Sequence, residues 1–320
     1  MEKDSLFTDV KIAKSNWEIT HQDNILLAGS CFTDEIGNKL INNGFNVMKN
    51  PFGVIYNPLS IADLIIRVAE NKAFTEKDVI KSGEFYYLFA AHGDIRGETE
   101  EKCLDLANSI VKHTRDFLKN TSVIIITLGT AWSYWYKSNG YLMANCHKVP
   151  QQEISRRLLQ IDETENSLNN MIKCIKSSEF KVKHCLFTVS PVRHIKEGFY
   201  DNKLSKAVLH LAIDKIIKNG KNCTADEHFA DYFPAYEIVM DCLRDYRFYA
   251  RDLVHINETA VDYIWNEFSQ TYFSASTREI NEKYYKLYLM KNHRPFNPNS
   301  EGYRKHLQKI EQLEKELSAR

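Results

Sequence analysis

The chain has no excess of charge: 42 Lys and Arg balance 42 Asp and Glu. No overall field therefore draws it to nucleic acid or to an anionic membrane surface. It has no apolar window approaching the roughly 18 residues of a membrane-spanning helix. Its start, Met1-Glu2-Lys3-Asp4-Ser5, lacks the charged-then-apolar pattern of a secretory signal. The expectation is a soluble, cytoplasmic protein with no nucleic-acid partner and no integral membrane segment. The seven cysteines are odd in number, scattered and without a CxxC pair, which reads as reduced thiols rather than a disulfide framework. No internal repeat and no low-complexity linker is found.

What is present is enough apolar material, 43% of the residues, for one large core or two modest ones. Short apolar runs at 25–28, 45–48, 123–128 and 184–189 read as strands. Helical periodicity fills 33–43, 58–71, 101–118, 163–177 and 204–218 between them. That alternation predicts an α/β fold, a parallel sheet flanked by helices. The run at 123–128 is apolar throughout, which suits a strand covered on both faces and central in the sheet. Asn57 followed by Pro58 is a cap and first-turn pair for the helix that begins there. The aromatics of 85–91 lead into the turn His92-Gly93-Asp94, and read as an insertion near the site. From residue 277 the chain turns charged and aromatic. Leu307, Ile310, Leu313 and Leu317 make a narrow apolar stripe on a last helix, to be covered by the body of the protein or by a second copy in a homodimer. The expected organisation is a catalytic domain over 1–276 and a helical C-terminal extension over 277–320.

The most telling feature is Gly29-Ser30-Cys31-Phe32-Thr33, set directly after the first strand and opening the first helix. A serine on such a turn projects above the carboxyl edge of a sheet, beside the N–H groups of a helix start. Far downstream, Asp252-Leu253-Val254-His255 brings a carboxylate and an imidazole together on one loop. A serine hydroxyl needs a base within hydrogen-bond reach, and an imidazole is suited to the task near neutral pH. The carboxylate would hold the imidazole in one tautomer. The order Ser, Asp, His is shared with α/β-hydrolases, but Ala28-Gly29-Ser30-Cys31-Phe32 does not fit their G-x-S-x-G elbow.

Several other residues admit two readings. Cys31 is a thiol nucleophile at a helix start or a packed side chain beneath the turn. The pairs Cys146/His147 and His92/Asp94 lack the spacing of a closed metal site, so neither a metal nor another cofactor is expected. Arg193 either clamps an anionic group of a substrate or pairs with Asp201 or Glu197. His194, at the end of a strand, is a binding residue or a loop histidine. Trp132, Tyr134, Trp135 and Tyr136 form an apolar or sugar-stacking wall, or pack beneath their loop.

The ordered blocks Gly29-Ser30-Cys31-Phe32, Asn50-Pro51-Phe52-Gly53, Tyr56-Asn57-Pro58, Leu128-Gly129-Thr130-Ala131-Trp132, Asn145-Cys146-His147-Lys148, Ser190-Pro191-Val192-Arg193-His194 and Asp252-Leu253-Val254-His255 carry a resemblance. Over about residues 24–270 the chain resembles the GSCFA family, which looks like a branch of the SGNH (GDSL-type) hydrolase superfamily. The resemblance implies a flavodoxin-like fold and serine-dependent hydrolysis of a small ester or of an acylated sugar or lipid. Ser30 maps onto the nucleophile, and Asp252 and His255 onto its partners. Ser30 and Gly53 map onto the oxyanion pocket. The third block of SGNH enzymes carries an asparagine after a glycine, where this chain has Thr130. The missing donor is then Thr130, or Asn57 or Asn145 reaching in, or the pocket is one donor short. Substrate contacts are expected from Asn57, Trp132, Asn145, His147, Arg193 and His194. The alternatives are acyl transfer through the same triad and a non-catalytic carbohydrate- or partner-binding module.

Overall fold

In the computed structural model, residues 8–221 and 229–318 are described, apart from the side chains of Glu197 and Lys221; Met1 to Ser5 and Cys223 lie outside them. In chain order, β1 (Asn24–Gly29), α1 (Cys31–Asn42), β2 (Asn46–Lys49) and α2 (Pro58–Ala69) come first. The insertion follows as β3 (Val79–Ser82), β4 (Phe85–Leu88) and β5 (Arg96–Gly97), and then α3 (Glu100–Leu118) and β6 (Thr121–Leu128). A second excursion holds β7 (Trp132–Tyr136), β8 (Tyr141–Met143) and β9 (Ile154–Leu158). It leads to α4 (Ile161–Lys176), β10 (His184–Val189), α5 (Phe199–Lys221), β11 (Ala230–Tyr232) and the short α6 (Ala235–Glu237). The chain ends in α7 (Glu258–Tyr272), α8 (Ala275–Asn292) and α9 (Glu301–Ser318).

The main sheet has five parallel strands in the order β11-β10-β6-β1-β2, so β6 is its middle strand. All eight residues of β6 are buried, because helices cover both of its faces. Alternate strand residues feed two cores. Leu26, Ile124, Ile126 and Phe187 pack with α2 to α5 on one side, and Ile25, Leu27, Val123 and Ile125 with α1 and α7 on the other. This is the flavodoxin-like arrangement. The chain runs outward from β1 to β2, returns, and then runs outward through β6, β10 and β11. The direction of winding changes between β1 and β6, and ligands of such sheets bind beyond the strand ends at that point.

The expected strands at 25–28, 45–48, 123–128 and 184–189 all belong to this sheet. Sequence reading missed β11, which has only three residues, too few for a periodic signal. It also missed both three-stranded antiparallel sheets, β3-β4-β5 and β8-β7-β9. The strand period of two sets Tyr134 and Tyr136 on one face of β7 and Trp135 on the other. Tyr134 and Tyr136 join Phe89, Met143 and Val149 in a third, small core. Trp132 and Trp135 lie beneath the guanidinium groups of Arg156 and Arg157, at 4.7 and 5.2 Å. Among the described residues, no helix is long and apolar enough to cross a membrane.

Candidate active site

Gly29 ends β1 at φ 148°, where an added Cβ would stand 2.2 Å from the Thr127 carbonyl oxygen. The chain can therefore turn tightly against β6, and the Ser30 N–H donates to that same carbonyl at 3.1 Å. Asn50, itself at φ 42°, clamps the turn from the β2 side. Its Oδ1 accepts from the Gly29 N–H at 2.9 Å, and its Nδ2 donates to Asp34 at 3.2 Å. Ser30 is the N-cap of α1 in extended backbone, yet its side chain makes no capping bond. The hydroxyl is buried and has no hydrogen-bond partner. The Ser30 hydroxyl is thus unengaged, at a helix start and at the winding switch.

The second part of the site is the loop before α7. Asp252 Oδ1 accepts from the Val254 and His255 N–H groups, each at 3.0 Å, and Oδ2 meets His255 Nδ1 at 2.6 Å. The Val254 N–H, then the imidazole and the His255 N–H, hold the Asp252 carboxyl down at about 2. With Nδ1 engaged, Nε2 is the imidazole nitrogen left to exchange a proton. The tight loop puts Leu253 at φ 60°. Arg193 secures it from beyond β10, donating through Nη2 to the Leu253 carbonyl at 3.3 Å and lying 4.5 Å above the Tyr249 ring. Arg193 makes no ion pair with Asp201, and Glu197, the other partner expected for it, has its side chain outside the described residues. Asp252 and His255 are about half exposed, whereas Ser30 is buried. The structure joins Asp252 to His255. It does not join His255 to Ser30 by a hydrogen bond.

The expected oxyanion donors are engaged elsewhere. The Ser30 N–H is held by Thr127, and the Gly53 N–H donates to the Asn50 carbonyl at 2.8 Å, closing the turn that carries Gly53 at φ 76°. The Thr130 hydroxyl accepts from the Trp132 N–H at 3.1 Å and pairs with Ser205 Oγ at 2.9 Å. Asn57 is also committed: its Oδ1 caps α2 at the Ser60 N–H, 2.9 Å away, and its Nδ2 donates to Ser60 Oγ. Gly53 and Asn57 are taken by a local turn and a cap, the Ser30 N–H by β6 and the Thr130 hydroxyl by α5, since buried polar groups are satisfied where they can be.

The remaining residues divide. His194 lies at the β10 edge, its ring 6.2 Å from that of Tyr56 and its N–H bonded to Asn202. Asn145 and His147 lie on the β8–β9 connection, which docks just past β4 through the Ala144 N–H and the Phe89 carbonyl. His147 is a buried residue stacked on Tyr87, with both ring nitrogens unpartnered. Burial pushes the Cys31 thiol up, away from nucleophilic thiolate. Among the described residues no group of three metal-ligating side chains gathers.

Two residues escaped sequence reading: Asn50, and Lys206, which is 2% exposed. The signal for Lys206 is its phase. It falls on the buried stripe of α5 with Asn202, Leu209 and Ile213, where lysine is rare. Its Nζ donates to the Gly129 and Ser190 carbonyls, each at 2.7 Å.

Compared with known families, the chain matches the model of the GSCFA family over residues 24–268. A search of curated proteins finds no match.

Proposed function

The chain belongs to the GSCFA family, and from that premise we propose that it is a serine-dependent acyl-ester hydrolase of the SGNH kind. Its substrate is a small ester or an acylated sugar or lipid. The observation that carries this reading is the Ser30 hydroxyl: buried, without a partner, at a helix start and at the winding switch of the sheet. A hydroxyl spared from capping its own helix is kept for another use. In the reaction Ser30 attacks the acyl carbon and His255 Nε2 receives the proton, while Asp252 keeps Nδ1 occupied and stabilises the imidazolium. The reaction requires the His255 imidazole to come within hydrogen-bond reach of the Ser30 hydroxyl. Transfer of the acyl group to a second hydroxyl is the other reading, favoured by the burial of Ser30, because a site without water spares the acyl-enzyme from hydrolysis.

The test is labelling of the full chain with a fluorophosphonate probe, read by mass spectrometry beside turnover of esters of graded acyl length. The expected result is one adduct on Ser30, abolished in Ser30→Ala and in His255→Ala. Absence of both adduct and turnover in the wild type would leave a non-catalytic binding module. An adduct on Cys31 would move the nucleophile to the thiol. Products formed with an added alcohol separate transfer from hydrolysis.

A further inference from the structure

We propose that Lys206 is a charge-bearing positioning residue of this site, whose ammonium stabilises the negative charge that develops above the Ser30 turn. The inference rests on the ester chemistry proposed above. Lys206 Nζ bridges the Gly129 carbonyl, just past β6, and the Ser190 carbonyl, just past β10. These are the strand ends that flank the winding switch on the side away from β2. Among the described residues no carboxylate pairs with the ammonium, and besides the two carbonyls it lies 5.7 Å from the Tyr236 ring. A buried charge with no counter-charge is costly, and an apolar side chain of the same volume serves a fold at least as well. The charge therefore has a use other than stability. The acyl chemistry creates a negative charge for it to stabilise.

The neighbours fit that role. The Cys31 thiol, next to Ser30, is close enough to influence the titration of Lys206. Tyr236 faces it from α6, and the two carbonyls face it from β6 and β10. On its own helix, His210 Nδ1 meets the Lys206 carbonyl at 2.7 Å. With the Ser30 and Gly53 N–H groups and the Thr130 hydroxyl engaged elsewhere, a preorganised charge supplies the stabilisation those donors would have given. Balanced, the step forms the bond from Ser30 Oγ to the acyl carbon and passes the serine proton to His255. The carbonyl electron pair moves onto the oxygen under the field of Lys206. Collapse then expels the alcohol, which takes the proton back from His255. Burial lowers Lys206 to about 7, so the charge is present below neutral pH and is lost above it.

The experiment measures kcat and KM against pH for the wild type, Lys206→Met and Lys206→Arg on the best ester found, with Ser30→Ala as the inactive reference. The Met variant is expected to lose about 10²- to 10³-fold in kcat, as when one preorganised donor is removed, with little change in KM. Wild-type kcat falls as the ammonium deprotonates above about pH 7, and the Arg variant, always charged, loses that fall. Wild-type kcat and pH profile in the Met variant, beside an inactive Ser30→Ala, would overturn the role of Lys206 and leave the ester reading standing. No turnover or labelling of the wild type overturns both. Should the substitutions prevent folding, the wild-type profile decides: an alkaline limb supports the proposal, and a flat profile from about pH 6 to 9 sinks it.

Discussion

At the scale of single residues, His147 shows how position overrides type. A histidine beside a cysteine invites a ligand or substrate role, but the chain buries it at φ 48° against Tyr87 with neither nitrogen bonded. Burial lowers its imidazole from 6.5 to about 4. The neutral form is thus favoured in the folded state, and the unfolded chain takes up the proton first as pH falls. Stability from this group is whole above pH 6.5 and drains away down to about pH 4, by on the order of 3 kcal/mol. Urea midpoints measured across that range should fall less steeply in His147→Phe than in the wild type. Equal slopes would mean that His147 protonates in place. Ser30, Asp252 and His255 stood out in the sequence because each sits in a short local pattern. The engagement of the Gly53 N–H and the Thr130 hydroxyl depends on how a turn closes and what α5 brings against it, which no local pattern records.

At the scale of elements, the strand–turn–helix unit of β1 and α1 is the most constrained piece of the site. Gly29 is needed there for two reasons, its φ of 148° and the Thr127 carbonyl, 2.2 Å from where a Cβ would stand. A backbone oxygen of a central strand cannot move aside. Gly29→Ala should cost about 3 kcal/mol or more, read as a lowered urea midpoint, and should weaken probe labelling in the protein that still folds. Unchanged stability would show that the turn relaxes without the glycine. The unit was legible because an apolar run, a glycine and a change from strand to helix period coincide within a dozen residues. The antiparallel excursions were not legible, since strands of two to five residues give too few alternations to stand out.

For the whole molecule, the C-terminal helices form an outer layer. Tyr284 of α8 lies against Gly44 and beside His21, which fastens α8 to the body. α9 then packs back on α8 through the ion pairs Lys283–Glu316 and Lys291–Glu314 and through His306, which meets the Met290 carbonyl at 2.9 Å. Of the predicted stripe, Leu317 is buried, Ile310 and Leu313 are half-buried and Leu307 is exposed. That is a few side chains at about 1.5 to 3 kcal/mol each when fully buried, enough to hold a hairpin. Removal of residues 303–320 should leave labelling of Ser30 intact while raising the binding of an apolar dye. Light scattering on the same pair reads whether the tail also holds a second copy. Loss of labelling in a folded truncation would place the tail in the working site.

By itself the sequence determined four of the five strands of the main sheet with the helices between them, the central place of β6 and the Ser30 turn. It also determined the Asp252–His255 pair. Each is encoded by neighbours in the chain, through apolar periodicity, a cap, a glycine or a three-residue spacing. Only the tertiary structure decided which polar groups remain free. It tied the Gly53 N–H into a turn and the Thr130 hydroxyl to Ser205, buried His147 against Tyr87, and drew Lys206 from α5 across the ends of β6 and β10. A hydrogen bond between residues 77 positions apart, as between Lys206 and Gly129, exists only once the sheet has brought the strand ends together. The burial that leaves the ammonium without a counter-charge is likewise a property of the packed whole.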